Sequence, residues 1–466
     1  MNTLYLPELR EMIAAGDDAG LREFSDALHP ARAAEFMEGL DPQESWQVLR
    51  RADPDRRIEV FGFLDEEKQT LVVETVTTTG DPSAISELVA DLPADDRVDL
   101  LNEVDEQVVE QILPLFPRED RHETLRLLGY PEGTAGSVMT TEVARLSEGL
   151  SVAEALTEIS KQVQDLETVY YNYVVDDDNR LLGLVSARQL VTHYLNPDQP
   201  IADLMQRDVV AVRAMDDQEA VAEKVAAYDF IAIPVVDDDR RLLGIITHDD
   251  IIDVLRAEAT EDALLAAGVT PLEEGYLRSH WFTLACNRGL WLAVLFVAAL
   301  LTALALRGYE DDFRRVSWLV LFIPLVISSG GNSGSQSATL VIRGLTDGEL
   351  SLADWTRVLR RELVMGLTLG AALAIVGYGS AWLLTRAGPE GEIAPTPIEV
   401  AVVPITLLLV VVCGTLCGGA LPLLFQKLGL DPALMSNPFV AGIIDIAGIV
   451  IYMTVAVTMI GQLSGG

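Results

Sequence analysis

Three cysteines in 466 residues, Cys286, Cys413 and Cys417, all in apolar runs, exclude a disulfide framework and a thiolate metal centre. Five scattered histidines exclude an imidazole-rich transition-metal centre. Positive charge is scarce: 33 Lys and Arg stand against 71 Asp and Glu, for a net charge of −38. Such a surface repels nucleic acid and anionic headgroups, so no nucleic-acid partner is expected. It suits divalent cations or a high-salt cytoplasm; plain solubility or halophilic adaptation is the competing explanation of the acid. The opening MNTLYLPELREMIAAGDDAG has no basic stretch leading into an apolar core. No signal peptide is therefore expected, and the N-terminal half is expected in the cytoplasm. A glycine-rich phosphate loop, a nucleophile–histidine pair and a histidine metal cluster are all missing, so an enzyme is not expected.

What is present divides in two. All but two of the net negative charges lie in residues 1–280. The remainder holds five apolar runs, 282–306, 316–342, 363–385, 399–426 and 437–461. Each is long enough to cross a hydrocarbon core about 30 Å thick. With the N-terminus inside, five spans leave the C-terminus outside. Arginines give little help with orientation, since they stand on both the 307–315 and 343–362 loops.

Two of the runs are not uniformly apolar. The second contains SSGGNSGSQSAT, 328–339, whose glycines weaken a helix and whose side chains supply oxygens and amides. Polar or broken backbone at that depth must face protein or a watery cavity, and a permeation lining is the expectation. In the fourth run Gly414 and Gly418 stand four apart, the spacing of close helix packing. The fifth run carries one charged residue, Asp445, in its apolar middle. An intramembrane carboxylate reads as a cation site; the alternative is a protonated acid or one paired with Arg288.

In the acidic half, segments 136–191 and 201–255 repeat one another. Each has a Met near its start, a helix, then VVDDD, Arg, LLG and a Ser or Thr. Val-Val before three Asp is a strand entering a turn, and Leu-Leu-Gly begins the next strand. The duplicated β-α-β-β-α pattern resembles a pair of CBS domains, regulatory modules that often bind adenine nucleotides. The resemblance places a ribose-contacting acid three positions after the Ser or Thr. The second copy has it, Thr247 to Asp250, while the first has Gln189 after Ser186. The nucleotide-contact candidates are Asp250 and Arg188.

Residues 1–132 carry a rhythm of helix-start signals, HP at 29–30, DP at 41–42 and 53–54 and DE at 65–66, resuming at 92–96, 104–107 and 116–120. Asp or Pro at the start of short helices suits capping, and repeated short helices stack into a superhelix. Asp95 and Asp99 share one helix face there, as a solvated face would also require. At the joint between the halves, Asp250, Asp253, Glu258, Glu261 and Asp262 follow at helical spacing.

Taken together, GYPEGTAGSVMTTE, the CBS-like pair, VLRAEATED, GGNSGSQSATLVIRG and NPFVAGIIDIAGIVIYMTVA are similar, in that order, to the MgtE family of magnesium channels and transporters. The resemblance implies a multidomain chain: a helical-superhelix N domain (1–132), tandem α/β CBS domains (133–257), a connecting plug helix (258–280) and a five-helix transmembrane pore domain (281–466). It implies a homodimer in a prokaryotic cytoplasmic membrane, importing Mg²⁺ through a pore on the two-fold axis and closing when cytosolic Mg²⁺ binds. It places Asp445 in that pore, with Asn437, Ala441, Ser335 and Thr339 beside the ion path. It makes Mg²⁺ sensors of Asp95, Asp99, Asp217, Glu219, Asp229, Asp250, Asp253, Glu258, Glu261 and Asp262, and allows ATP at the CBS pair. The rivals left open are a secondary transporter for Co²⁺ or Mn²⁺ and a nucleotide-sensing membrane receptor without permeation.

Overall fold

The computed structural model describes residues 5–163, 166–270, 276, 279–346, 348–386, 395–432 and 437–461. The chain divides into two units, Met1–Glu258 and Ala259–Gly466.

The first unit opens with a run of short helices, α1 (Leu6–Ala15) to α10 (Arg118–Leu127). Starts at Pro30, Pro42, Pro54 and Glu66 are 12 residues apart, as are those at Pro82, Ala94, Glu106 and Arg118. A first-turn Pro carries no N–H to satisfy, and the residue before it caps. Asp41 forms a reciprocal capping box with Glu44, and Asp65, Asp81 and Asp105 each accept an N–H two residues on. Asp53 makes no cap and pairs with Arg22 instead. The two runs are separated by α6 (Glu66–Thr79), whose 14 residues exceed the length of its neighbours. That longer helix hides the start at Pro82 from a reading based on a 12-residue period. The helices bury one shared cluster that includes Phe61, Val72, Leu88 and Ile112, the arrangement expected of stacked repeats.

Two matching β-sheet modules follow. One comprises β1 (Arg145–Ser147), α11 (Val152–Gln162), β2 (Tyr171–Val175), β3 (Leu181–Ser186) and α12 (Ala187–Thr192). The other comprises β4 (Val212–Arg213), α13 (Gln218–Tyr228), β5 (Ala232–Val236), β6 (Leu242–Thr247) and α14 (His248–Ala266). In each, the first two strands are parallel and the last two antiparallel. The VVDDD turns are alike down to single bonds. Asp176 Oδ1 accepts the Asp178 and Arg180 N–H, and Asp237 Oδ1 accepts those of Asp239 and Arg241. Asn179 and Arg240 sit at equivalent positive φ, both 63°. The modules also exchange contacts: Leu181 N–H bonds the Arg240 carbonyl and Leu242 N–H bonds that of Asn179, both at 2.9 Å. Each LLG glycine lies under the leading methionine of the opposite copy, Gly183 under Met205 and Gly244 under Met139. A Cβ at either position would meet backbone oxygen, which explains glycine there.

The second unit is helical: α15 (Trp281–Gly308), α16 (Glu310–Arg315), α17 (Ile323–Thr346), α18 (Trp355–Arg386), α19 (Pro397–Val400), α20 (Val402–Lys427) and α21 (Asn437–Gly461). Four of the five long helices are long and apolar enough to cross a membrane. The remaining one, α17, carries the Ser, Gly and Asn residues that lower its hydropathy. Contrary to the expected weakening, α17 runs unbroken from Ile323 to Thr346. Its glycines are contacts rather than breaks. A Cβ on Gly330 would overlap Val410 of α20, and one on Gly334 would overlap Ile444 of α21. On α20, a Cβ on Gly414 would stand 2.6 Å from the Gly330 carbonyl, and one on Gly418 would overlap the Gly334 carbonyl. Backbones this close give dispersion contact where burial in lipid gives no hydrophobic gain. Within the segment 258–280, residues up to Ala266 are helical, while 271–275 and 277–278 lie outside the described residues.

Candidate functional site

In the second unit, the polar side chains of α17 divide between two faces. Residues two apart differ by about 200° around a helix. Ser333 and Ser337 turn inward: Ser333 Oγ donates to the Gly330 carbonyl at 2.9 Å, and Ser337 Oγ donates to Glu362 of α18 at 2.6 Å. Ser335 and Thr339 turn to the start of α21. Ser335 Oγ donates to the Asn437 carbonyl and Thr339 Oγ1 to Asn437 Oδ1, each at 3.0 Å. Three residues expected beside the ion path therefore meet. One face of this helix thus carries hydroxyls turned to α21, and the other carries small residues packed against α20.

Asp445 lies two turns further along α21 and is half-buried. Its Oδ1 and the Ala441 Cβ lie 3.6 and 3.3 Å from where a Gly331 Cβ would be. Ala441 and Asp445 thus line the strip of α21 facing Gly331, where a larger residue would crowd the carboxylate. Among the described residues no Lys or Arg pairs with Asp445, so pairing with Arg288 is not the explanation of this charge. The residue keeps partial exposure.

In the first unit, α8 (Ala94–Glu103) brings Asp95, Asp96 and Asp99 against the start of α14. There Asp249, Asp250 and Asp253 meet them, together with Glu167 from the segment before β2. Burial, with Asp250 and its neighbours as like charges, pushes Asp96 up to about 6. Burial and the charges of Asp96 and Asp250 push Asp99 up to about 7. Burial and the charges of Asp250, Asp249 and Asp96 push Glu167 up to about 7. Asp95 is raised well above the usual range by burial, then by Asp250, Asp96 and Glu167. Asp250 is raised by burial, against the pull of its bonds from Thr247. Arg256 pairs with the exposed Asp253 at 3.0 Å and His248 stands 3.6 Å from the exposed Asp249, but the charges that act on the buried Asp95, Asp96, Asp99 and Glu167 are chiefly those of other acids. Asp95 Oδ1 is buried without a hydrogen-bond partner, so hard oxygen donors stand ready for a cation. No three acid, His or Cys side chains close into a coordination sphere among the described residues. The donor set therefore fits a hydrated divalent ion held through its waters better than a stripped one.

The remaining expected sensors are placed differently. Asp217 caps α13 by accepting the Glu219 and Ala220 N–H. Glu258 Oε1 accepts from Gln218 at 2.8 Å, so Glu258 comes to the same end of α13 as Asp217 and Glu219. Asp229 ends α13 with φ 54°, and among the described residues its carboxylate has no hydrogen bond or ion pair. Glu261 and Asp262 lie on α14 in the second unit. Sequence reasoning missed Glu167, Asp249 and Glu362. Asp249 adjoins Asp250 in the stretch HDDIID, 248–253, and needed only the helix face; Glu167 and Glu362 carried no local signal.

The nucleotide candidates also have defined partners. Asp250 Oδ2 accepts from Thr247 Oγ1 at 2.6 Å and from its N–H at 3.1 Å. In the first copy Gln189 Oε1 takes the same two bonds from Ser186, and its Nε2 donates to the Leu204 carbonyl. Gln189 is thus a structural cap. Arg188 is exposed.

Comparison with known proteins gives a consistent result. A family described as divalent cation transporter, MgtE, matches residues 323–455. The MgtE intracellular N domain matches 28–133, and CBS domains match 135–196 and 201–257. The chain is 36% identical over 448 residues to the magnesium transporter MgtE of Thermus thermophilus, covering 96% of this chain and 97% of that one. It is 34% identical over 340 residues to the magnesium transporter MgtE of Enterococcus faecalis, covering 72% of each. Among solved structures, the soluble part of a magnesium transporter matches with TM-score 0.50 and 34% identity, covering 54% of this chain and 97% of that one. Relatives with enzyme names match about a quarter of this chain or less, such as 24% for a homoserine O-acetyltransferase of Methanohalobium evestigatum.

Proposed function

Because this chain belongs to the MgtE family of divalent cation transporters, we propose that it is a Mg²⁺ channel that imports the ion down its electrochemical gradient and closes when cytosolic Mg²⁺ is abundant. The family is one of transporters rather than enzymes. The working division is an N domain (1–132), a CBS pair (133–257), a plug segment (258–280) and a pore domain (281–466).

The observation that carries the reading is a partly exposed carboxylate, Asp445, with no Lys or Arg paired to it among the described residues, on a helix otherwise made for lipid. In a homodimer with its two-fold axis along the path, two Asp445 carboxylates would share one hydrated Mg²⁺. Mg²⁺ sheds water reluctantly, and holding it through its waters permits exit as well as arrival. Ala441, Asn437, Ser335 and Thr339 would flank the same path, the last three already joined by hydrogen bonds. Two charges crossing 100 mV gain about 4.6 kcal/mol, so no other energy source is needed.

The gate follows from the acidic cluster. Asp95, Asp96, Asp99, Glu167, Asp249, Asp250 and Asp253 repel one another in the arrangement seen, which is the arrangement bound Mg²⁺ would favour. Asp217, Glu219 and Glu258 form a second acidic group, and Asp229, Glu261 and Asp262 are the remaining sensor candidates. Differential affinity of Mg²⁺ for the closed state is all the gate requires. ATP at the CBS pair would use Asp250 and Arg188. Asp250 would then serve nucleotide and cation sensing at once, which couples the two ligands.

The test is flux into vesicles holding the purified full chain, driven by a potassium diffusion potential and read by an internal Mg²⁺ indicator. Potential-dependent Mg²⁺ influx that Mn²⁺ and Co²⁺ compete for only weakly is expected. Influx of Mn²⁺ or Co²⁺ in preference to Mg²⁺ would favour a different divalent transporter, and no flux of any ion would overturn the reading.

A further inference from the structure

Among the described residues of the second unit, Glu362 is the one buried charged side chain, at 9% exposure. It stands on α18 directly after Arg360 and Arg361, both exposed. Two neighbouring helices build its surroundings. Ser337 of α17 donates to Glu362 Oε2 at 2.6 Å. Thr415 of α20 donates to the Glu362 backbone carbonyl at 3.1 Å. Gly419 of α20 makes room for the aliphatic stem, since a Cβ there would come 2.8 Å from Glu362 Cγ. Burying a polar group this deeply is tolerated only when its partners are fixed.

We propose that Glu362 is a positioning residue for the ion path: through Ser337 it sets the rotation of α17, whose opposite face presents Ser335 and Thr339 to Asn437. The proposal deepens the Mg²⁺-conduction reading and rests on it for its flux arm. The geometry gives the reason. Ser337 lies two residues from both Ser335 and Thr339, so it points the other way around the helix. One side of α17 is tied to α18 by the Glu362 bond, and the other side is tied to the first turn of α21. Glycines 330 and 334 leave α17 smooth where it touches α20 and α21. A smooth helix slides and rotates unless polar bonds pin it. With Glu362 absent, the two hydroxyls facing Asn437 lose their register, and the waters around a passing ion lose ordered acceptors.

Two variants break the same bond: Ser337→Ala, which removes one hydroxyl, and Glu362→Leu, which keeps much of the volume. Each is expected to raise the Mg²⁺ concentration for half-maximal flux about tenfold, the size of a hydrogen bond to a charged group. The double variant is expected to be no worse than the more affected single one. Glu362→Gln keeps a carbonyl acceptor and is expected to stay within about twofold of the unchanged protein. A purely structural role would lower the amount of protein in the membrane and leave half-saturation alone. Should Glu362→Leu fail to accumulate, Ser337→Ala carries the test. A second readout needs no transport: the rate at which a thiol reagent labels Gln336→Cys, an exposed position on α17, with the three native cysteines changed to serine. A severalfold change of rate in the Ser337→Ala background is expected. Unchanged half-saturation together with unchanged labelling overturns the proposal. Absent Mg²⁺ flux in the unchanged protein overturns the conduction reading, and the labelling rate then decides on Glu362 alone.

Discussion

Thr339 on α17 donates its hydroxyl to the side-chain oxygen of Asn437, the first residue of α21, at 3.0 Å. The two are 98 positions apart, and the bond fixes where the polar face of one helix meets the start of the other. Two turns further on, Gly331 and Asp445 face each other across the same seam. Along it Gly331 and Gly334 leave room for Ala441, Asp445 and Ile444 of α21, Gly414 and Gly418 of α20 stand against the Gly330 and Gly334 carbonyls, and Ser335 and Thr339 turn their hydroxyls to α21.

That packing is open to direct test. Gly418→Ala places a methyl group into the Gly334 carbonyl, which is backbone and cannot swing aside. The variant is expected to lose about 1–3 kcal/mol of stability, as overpacking does. Gly379→Ala, on the same unit, meets nothing within 4 Å and is expected to be neutral. Thermal melts of the full chain in one detergent decide it. Equal melting temperatures for the two variants would contradict the close-packed seam.

The acidic cluster predicts an unusual pH dependence. Asp96, Asp99 and Glu167 hold protons up to about 6, 7 and 7 in the folded arrangement. The unfolded chain releases them near pH 4. Between those limits the folded state binds more protons, so its stability falls as pH rises. Without Mg²⁺, the melting temperature of the full chain is expected to drop by several degrees from about pH 5 to about pH 8. Millimolar Mg²⁺ is expected to restore it at the higher pH and do little at the lower, where protons already neutralise the cluster. A melting temperature that is flat or rises over this range would contradict the repulsion.

Glu167 is expected to share in Mg²⁺ sensing although no local motif marks it. Glu167→Gln should raise the Mg²⁺ concentration needed to protect the acidic half from protease severalfold. Glu148→Gln, which removes only an exposed ion pair with Arg207, should not. On the proposed gating, Asp250→Asn and Asp253→Asn together should leave Mg²⁺ current flowing at high internal Mg²⁺ in patch recordings. Normal closure in that pair would remove the cluster from the gate.

How far these features could be read from the chain depends on whether their signal is local. The helix starts at Pro30, Pro42 and Pro54 and the two VVDDD turns were legible, because a cap or a turn is set by residues within a few positions of each other. The helical start at Pro82 was not, because α6 exceeds the repeat length and throws the count out. The glycines of α17 suggested a weakened helix. Only the packing of Val410, Gly414 and Ile444 shows them to be contact surfaces. Glu167 and Glu362 were invisible for a common reason. The first meets acids from α8 and α14, and the second follows two arginines as any surface acid could, with burial supplied by Ser337 and Gly419 from other helices. Asp445 stood out at once, because a lone charge in an apolar run needs no tertiary knowledge to be noticed.

The most direct measurement compares Asp445→Ala with the unchanged chain in the same vesicle flux assay, with protein content matched. The account predicts that potential-driven Mg²⁺ influx falls to the level of empty vesicles, while the melting transition and the Mg²⁺-dependent protease protection of the acidic half stay as they were. Influx that continues at the original rate without that carboxylate would contradict it.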